Sequence, residues 1–131
     1  MVHHTAIASS QHEVQRAIVE RSHARRYPES KLHSHIAYHF LIGRDGTIVK
    51  NRKLTERSGH TRNQDINLDS IAVVLAGNFE IEEPSRAQLA SLRRTVRELR
   101  LAYPDIEIIG HRDASPTSCP GRNLEKLLPT L

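Results

Sequence analysis

Three segments of the sequence offer nitrogen and sulfur donors that suit a borderline metal ion. They are His3 and His4 near the start, His111 after a short apolar run, and Cys119 eight positions later in a proline-rich stretch. Zinc accepts imidazole nitrogen and thiolate sulfur in a tetrahedron, and a catalytic site uses three protein ligands so that the fourth position stays open. Two histidines and one cysteine would suit such a site.

These residues also suit roles that involve no metal. A single histidine in a strand can serve as a hydrogen-bonded core or surface residue. Cys119, the only cysteine, can be small buried filling or a nucleophile with His111 as its base. The flanking Pro116 and Pro120 disfavour the nucleophile, because activated cysteines often lie at helix N-termini. An internal disulfide is excluded, since it needs a second cysteine.

The size and charge of the chain favour one folded domain. With 131 residues, we expect a single domain spanning residues 1–131 around one core. The 19 basic and 15 acidic residues leave a net charge of +4, which weakly favours anionic partners and is too small to name one. The chain starts without the pattern of a signal peptide and contains no run of eighteen apolar residues, so neither a signal peptide nor a membrane span is expected.

Apolar runs predict the strands of a β-sheet, one of which leads into a candidate ligand. The continuous run 70–76 is typical of a central strand that is buried on both faces. The runs 36–42 and 48–49 flank an Asp-Gly pair at 45–46 and predict a β-hairpin, whose turn uses positive φ values. The isoleucines within 106–109 predict a short strand that leads into His111.

Capping patterns predict the helices. A serine followed three residues later by Glu or Gln occurs at Ser10 and Ser85, which predicts one helix over about 11–26 and a second that ends before Pro104. Asn123 is expected to cap a last short helix. The predicted fold is α/β, a single domain with a central mixed β-sheet flanked by about three helices.

Six short motifs occur in the order and spacing of a known family. They are residues 2–6, 37–42 with 45–47, 58–61, 67–71, 77–79, and 110–113 with 118–121. Over nearly its whole length the chain resembles the type 2 N-acetylmuramoyl-L-alanine amidases, a family that includes phage lysozyme-type zinc amidases and peptidoglycan recognition proteins. The His-to-Cys spacing of the last motif is typical of that family's final two zinc ligands.

The resemblance implies a site for one zinc ion (Zn2+) at the floor of a surface groove. Carried over residue by residue, it implies that His3, His111 and Cys119 bind the metal. His3 is preferred to His4 because the family's ligand is the first position after the apolar strand residue. His4 is expected to face elsewhere, since successive strand side chains point to opposite faces.

The resemblance also implies roles for four other residues. Tyr38 aligns with a tyrosine that lines the family's site and is needed for hydrolysis by its active members. Thr117 stands where phage enzymes carry a lysine and hydrolytic recognition proteins tend to carry threonine, so it can offer a neutral hydrogen bond to a developing oxyanion. His60 and Asn67 match positions beside the groove and are expected to bind substrate or to support the site.

The sequence departs from the family pattern near the first ligand. Only Met1 and Val2 precede His3, which predicts a short first strand, and Ala37 stands where a glycine commonly precedes the tyrosine. Four histidines have no counterpart in the pattern and are expected to be solvated: His12, His23, His33 and His35.

The implied function is hydrolysis of the amide between N-acetylmuramic acid and L-alanine in peptidoglycan or muropeptides, with zinc activating water. We expect a monomer, made in the cytoplasm without a signal peptide, that acts on the cell wall after release as a lytic endolysin or wall-remodelling enzyme; nucleic acid is not an expected partner. Two alternatives remain: a non-catalytic peptidoglycan-binding module, and a phage polymerase regulator. Retention of Cys119 with both histidines favours catalysis, because relatives that bind without cutting lack the cysteine.

Overall fold

A computed structural model of the chain describes residues 1–8, 19–25 and 36–131. Within these residues, four strands form one mixed sheet in the order β1-β4-β2-β3. Their bounds are β1 (Val2–His4), β2 (Phe40–Ile42), β3 (Ile48–Lys50) and β4 (Val73–Leu75). β4 pairs in parallel with both β1 and β2, and β2 pairs antiparallel with β3. The prediction of a buried central strand within residues 70–76 is confirmed, because β4 lies inside the sheet and all three of its residues are buried.

The predicted hairpin is confirmed, with a longer loop than a two-residue turn. The Gly43 N–H donates to the Thr47 carbonyl at 2.8 Å, and the Gly46 N–H donates to the Gly43 carbonyl at 2.9 Å. Gly46 adopts φ +86°, a left-handed conformation that glycine reaches without steric cost. The Asp45 carboxylate accepts the Thr47 N–H at 2.9 Å, which completes the turn.

The helices of the described residues outnumber the three predicted, because several are very short. Residues 19–25 are helical, and the rest of the helix predicted over 11–26 lies outside the described residues. The other helices are α1 (Gln64–Asp69), α2 (Arg86–Ala102), α3 (His111–Ala114) and α4 (Arg122–Glu125), followed by a 3-10 turn at Leu128–Thr130. Across the part of the chain that is described, no helix has the length and apolar character needed to cross a bilayer.

Helix α2 begins where the sequence predicts. The Ser85 hydroxyl accepts the Gln88 N–H, and the Gln88 side chain accepts the Ser85 N–H, so the capping box is complete. One face of α2 packs on the sheet and contributes to an apolar core. The buried members of that core are Val2, Phe40, Ile42, Val73, Leu75, Phe79, Leu92, Val96, Leu99, Leu124 and Leu128.

Two local predictions are wrong. Residues 106–109 form no strand, because only Val2 of β1 pairs with this part of the chain: it bridges to Gly110, and its N–H donates to the Ile109 carbonyl at 2.8 Å. Asn123 does not cap α4, which is preceded by Gly121. The Asn123 side chain instead donates to the Glu82 carbonyl at 3.1 Å, and its backbone N–H donates to Phe79.

Candidate metal centre

The fold brings together the three predicted ligands, which are distant in sequence. One ligand atom from each of His3, His111 and Cys119 lies within 4.8 Å of the others. The His3 Nδ1 and Cys119 Sγ atoms are 3.5 Å apart. A tetrahedral zinc ion, with bonds of about 2.05 Å to nitrogen and about 2.3 Å to sulfur, would hold such a pair about 3.5 Å apart. The donor types and this separation therefore fit zinc.

The register of β1 decides which of the two neighbouring histidines joins the cluster. Val2 belongs to the apolar core under α2, so the His3 side chain points to the opposite face of the sheet. His4 shares the face of Val2, where its Nδ1 accepts the Phe79 N–H at 3.1 Å. The expectation that His4 faces elsewhere is confirmed. Its backbone still serves the site, because the His4 N–H donates to Cys119 Sγ at 3.4 Å.

The short first strand holds His3 firmly. β1 spans three residues, as the sequence predicts, and only 1% of the His3 surface is exposed. Its backbone is anchored on both sides of the ligand position, because the Val2 N–H donates to the Ile109 carbonyl at 2.8 Å and the Thr5 N–H donates to the Leu75 carbonyl at 3.0 Å. Although β1 is short, these contacts therefore keep His3 in a defined position.

His111 stands at the start of a helical turn rather than at the end of a strand. It is the first residue of α3, and the Asp113 carboxylate closes that turn by accepting the Gly110 N–H at 2.8 Å. The imidazole rings of His111 and His3 lie 4.6 Å apart between centroids. The turn therefore places a half-buried ligand candidate beside the fully buried one.

Polar contacts hold the loop that carries Cys119. The Arg112 guanidinium donates to the Ser118 carbonyl at 2.7 Å and to the Glu80 carboxylate at 3.1 Å. Gly121, two residues after the cysteine, has a φ of +91°. A Cβ added to Gly121 would lie 2.4 Å from the carbonyl carbon of Phe79. The loop thus needs glycine to approach the neighbouring backbone closely enough to place the thiol at the cluster.

Burial sets the protonation of the ligand candidates. It lowers the pKa of His3 well below the ordinary value, with further lowering from the nearby His60 and His111. Burial also lowers the pKa of His111, and it lowers that of His60 to about 3. Burial raises the pKa of the Cys119 thiol to about 11, against the opposing effect of the His4 N–H. The metal-free cluster is therefore a group of neutral imidazoles and a thiol, whose proton a bound cation would displace.

Tyr38 lies at the edge of the cluster, next to His3, and the family resemblance implies such a position for it. Its ring is 5.0 Å from that of His3 between centroids, and the residue is half-buried. On its other side is His23, which was expected to be solvated. His23 is half-buried, its Nδ1 accepts the Ala37 N–H at 3.1 Å, and its ring lies 5.6 Å from Tyr38. The prediction for His23 is therefore wrong, and no local sequence signal identifies it; His12, His33 and His35 lie outside the described residues.

Thr117 is exposed in the loop before Cys119. Its hydroxyl oxygen accepts the Cys119 N–H at 3.2 Å, which positions the cysteine backbone. An oxygen that accepts this bond keeps its own hydrogen for donation elsewhere. The residue can both shape the ligand loop and offer a neutral hydrogen bond at the solvent side of the cluster.

His60 contacts the candidate ligand His3 directly, whereas Asn67 holds the backbone next to His60. His60 is 7% exposed, and its Nδ1 is 2.8 Å from the Nε2 of His3. Asn67 is 1% exposed, and its amide bonds both the N–H and the carbonyl of Thr61. Of the two roles expected from the sequence, these contacts favour support over substrate binding.

The cluster reaches the surface through its half-buried members and Thr117. The groove expected around it stays a prediction. A separate cavity of about 510 Å³ lies beside Leu54, Leu68 and Tyr103 and includes none of the ligand candidates.

Comparison with known proteins links this geometry to one family. Residues 1–122 match the family model described as N-acetylmuramoyl-L-alanine amidase. The chain is 31% identical over 100 residues to an endolysin of Enterobacteria phage K11, and the match covers 72% of this chain and 65% of the endolysin. It is 35% identical over 99 residues to an N-acetylmuramoyl-L-alanine amidase of Sus scrofa, which covers 72% of this chain and 16% of that protein.

A solved structure shares the fold. Peptidoglycan recognition protein-LE, in complex with tracheal cytotoxin, a monomeric diaminopimelic acid-type peptidoglycan, superimposes with a TM-score of 0.82. The match has 25% sequence identity and covers 99% of this chain and 77% of that one.

Proposed function

The chain belongs to the N-acetylmuramoyl-L-alanine amidase family, and from this premise we propose that it is a zinc-dependent hydrolase. Its substrate is peptidoglycan or a muropeptide, and the bond cut is the amide between N-acetylmuramic acid and L-alanine. One observation carries the proposal: two imidazoles and a thiolate-forming cysteine converge within 4.8 Å, the donor set of a catalytic zinc site with an open fourth position.

His3, His111 and Cys119 would hold the zinc. When bound, the ion supplies Lewis acidity toward water and toward an amide carbonyl. The protein contributes the orientation of the ligands, through the backbone anchors of β1, the α3 turn and the clamped Cys119 loop. The His4 N–H directed at Cys119 Sγ stabilises the thiolate form that metal binding requires.

Two residues that carry hydroxyl groups lie next to the candidate ligands. Tyr38 stands beside His3, and its phenol can hydrogen-bond to the scissile carbonyl as negative charge develops on the oxygen. Thr117 offers a second neutral donor from the ligand loop. Because the lysine of phage relatives is absent here, charge stabilisation by these side chains comes from neutral dipoles alone.

The relatives support the proposed biological setting. The recognition protein-LE structure supports a muropeptide ligand for this fold, and the phage endolysin supports action on the bacterial cell wall. We propose that this chain acts there after release from the cell that makes it.

Product analysis tests the proposal. Purified protein is incubated with muropeptides before chelation, after chelation and after zinc is restored, and products are identified by mass spectrometry. The expected product is a stem peptide with a new L-alanine amino terminus, lost on chelation and recovered with zinc. Intact substrate in the presence of one bound zinc and a folded protein would contradict hydrolysis and indicate a binding module.

Matched variants assign the roles. Cys119→Ser should abolish stoichiometric zinc binding, because a serine hydroxyl is a poor zinc ligand. Tyr38→Phe removes one oxygen and should lower kcat by about 100-fold with zinc still bound. Tyr103→Phe is the control, since Tyr103 lies outside the cluster and is 43% exposed. Equal rates for the two tyrosine variants would exclude a role for the Tyr38 hydroxyl.

A further inference from the structure

The two ring nitrogens of His3 face different partners. Nε2 is 2.8 Å from the Nδ1 of His60, and Nδ1 is 3.5 Å from the sulfur of Cys119. A neutral imidazole carries one hydrogen, and the nitrogen that carries it cannot bind a metal. The position of that hydrogen therefore decides whether His3 presents a lone pair to the cluster.

A chain of hydrogen bonds that starts at a backbone carbonyl settles the position. The Ile66 carbonyl only accepts, so the Ser70 hydroxyl, which lies against it, must donate to it. The Ser70 oxygen must then accept from His60 Nε2, 2.9 Å away. Neutral His60 is left with a lone pair on Nδ1, which accepts the hydrogen of His3 Nε2. The Nδ1 lone pair of His3 consequently points toward Cys119.

We propose that His60 and Ser70 are positioning residues that fix the tautomer of His3 and so prepare it to bind zinc through Nδ1. This inference rests on the proposed zinc-dependent function. Neither residue touches the other two ligand candidates through any hydrogen bond of the described residues. They act through His3 alone.

The chain of hydrogen bonds from the Ile66 carbonyl through Ser70 and His60 to His3, called the relay, is itself held in place by neighbouring groups. Ser70 follows directly on α1, whose first turn is capped by the Asn63 side chain. The amide of Asn67 bonds the backbone of Thr61, next to His60, and its carbonyl accepts from the Ser58 hydroxyl at 2.9 Å. Helix α1 thus carries the Ile66 carbonyl at one end of this chain of hydrogen bonds and leads into Ser70, and the loop with His60 is fastened to the helix. This arrangement explains why Asn67 is buried although the metal cluster does not include it.

The test compares zinc affinity and the His3 tautomer in matched variants. Ser70→Ala removes the acceptor two hydrogen bonds away from His3, and Ser70→Thr keeps a hydroxyl. His60→Phe removes the acceptor beside His3, and His60→Gln keeps a carbonyl oxygen there. The control is His39→Gln, because His39 is also buried but its ring bonds only backbone groups, the Glu56 carbonyl and the Ala72 N–H.

Two measurements are made on each folded variant. Zinc dissociation constants are obtained by competition with a chelator. The protonation of each His3 nitrogen is read in the zinc-free protein by long-range proton–nitrogen NMR. Loss of groups that orient a metal ligand typically weakens metal binding by about 10-fold to about 100-fold.

Ser70→Ala and His60→Phe should weaken zinc binding by about 10-fold or more and give a mixture of His3 tautomers. Ser70→Thr and His60→Gln should restore both properties toward those of the wild type, and His39→Gln should leave them unchanged. Wild-type affinity with a single Nε2–H tautomer in Ser70→Ala would overturn the relay, as would a loss that Ser70→Thr fails to restore.

The outcome for the relay is separable from that for the enzyme. Relay-dependent zinc binding by a protein that leaves muropeptides intact would support the relay and contradict the hydrolase. Cleavage by the wild type, with unchanged affinity and tautomer in Ser70→Ala, would support the hydrolase and overturn the relay. A wild-type protein that binds no zinc would overturn both.

Discussion

Acidification of the protein without zinc tests whether burial keeps His60, which lies against His3, neutral in the folded state. Burial lowers the pKa of His60 to about 3, whereas an unfolded histidine titrates near about 6.5. Between these values the unfolded chain binds a proton that the folded protein does not. A folded-state pKa below the unfolded value contributes stability that is present above about pH 6.5 and is lost as the pH falls toward the folded value.

The stability that His60 loses on acidification follows from these two pKa values. At pH 5 the unfolded histidine is almost fully protonated and folded His60 is still neutral. The stability lost relative to pH 7.5 is about 1.36 kcal/mol for each of about 1.5 pH units, or about 2 kcal/mol. His60 is only 7% exposed, so solvent screening reduces this little. Burial lowers the pKa of His3 and His39 as well, so the whole protein should lose more than this.

Urea unfolding with chelator present, at pH 7.5 and pH 5.0, measures the effect. The loss of unfolding free energy between the two pH values should be about 2 kcal/mol smaller in His60→Gln than in the wild type, because glutamine does not titrate. Equal losses in the two proteins would refute the argument that His60 is held neutral in the fold.

Three further predictions concern other contacts. Zinc binding at pH 7.5 should release about one proton, because burial raises the pKa of the Cys119 thiol to about 11 and the ligand must bind as thiolate. Calorimetry in buffers of different ionisation enthalpy counts the released protons. A count of zero would contradict the prediction that Cys119 is a protonated thiol before zinc binds. Gly121→Ala should cost about 3 kcal/mol in urea unfolding, because its Cβ would lie 2.4 Å from the Phe79 carbonyl carbon at a positive φ. Gly59→Ala, whose Cβ meets nothing closer than 3.5 Å, should cost under about 1 kcal/mol, and equal costs would argue against the close approach. Gln88→Ala should cost about 2 kcal/mol without changing zinc affinity, because fully buried Gln88 donates to the Ala76 carbonyl at 2.8 Å, outside the metal cluster; an unchanged urea midpoint would count against that bond.

Elements with a strong local signal were predictable from the sequence. The capping box at Ser85 and the apolar spacing after it define α2, because cap and packing face lie within one continuous segment. The run 70–76 predicts the central strand, since few other structures accommodate consecutive buried β-branched residues. Helix α1 was not predicted from the sequence, because six residues are too few to show a repeating helical pattern of apolar residues. Its capping residue Asn63 was nevertheless a readable signal.

Weaker local signals misled where the outcome depended on distant partners. The isoleucines in 106–109 have strand propensity, but a strand needs a neighbour, and β1 supplies one bridging residue there. Asn123 is a good cap by type, yet its side chain is engaged by Glu82 and the close approach of Gly121 to Phe79 sets the start of α4.

The candidate ligands could be predicted by type and by family pattern, and their assembly could not. Residue chemistry and the His-to-Cys spacing point to His3, His111 and Cys119, and alternation along a strand separates His3 from His4. Those inferences use only neighbours in the chain or a pattern that several short motifs share. Both kinds of information can be read directly from the amino-acid sequence.

The surroundings of the candidate ligands depend on contacts between segments that are distant in sequence. Parallel pairing of β1 with β4 and the clamped loop after α3 place His3 3.5 Å from a cysteine 116 positions away. The same folding places the Nδ1 of His60, 57 positions from His3 in the chain, 2.8 Å from the Nε2 of His3. No local pattern encodes these distances, because they depend on strand register and on which side chain fills the space beneath the cluster. Residue types and the family pattern are enough to identify the atoms that could bind zinc, whereas the orientation and protonation of those atoms depend on how distant segments pack.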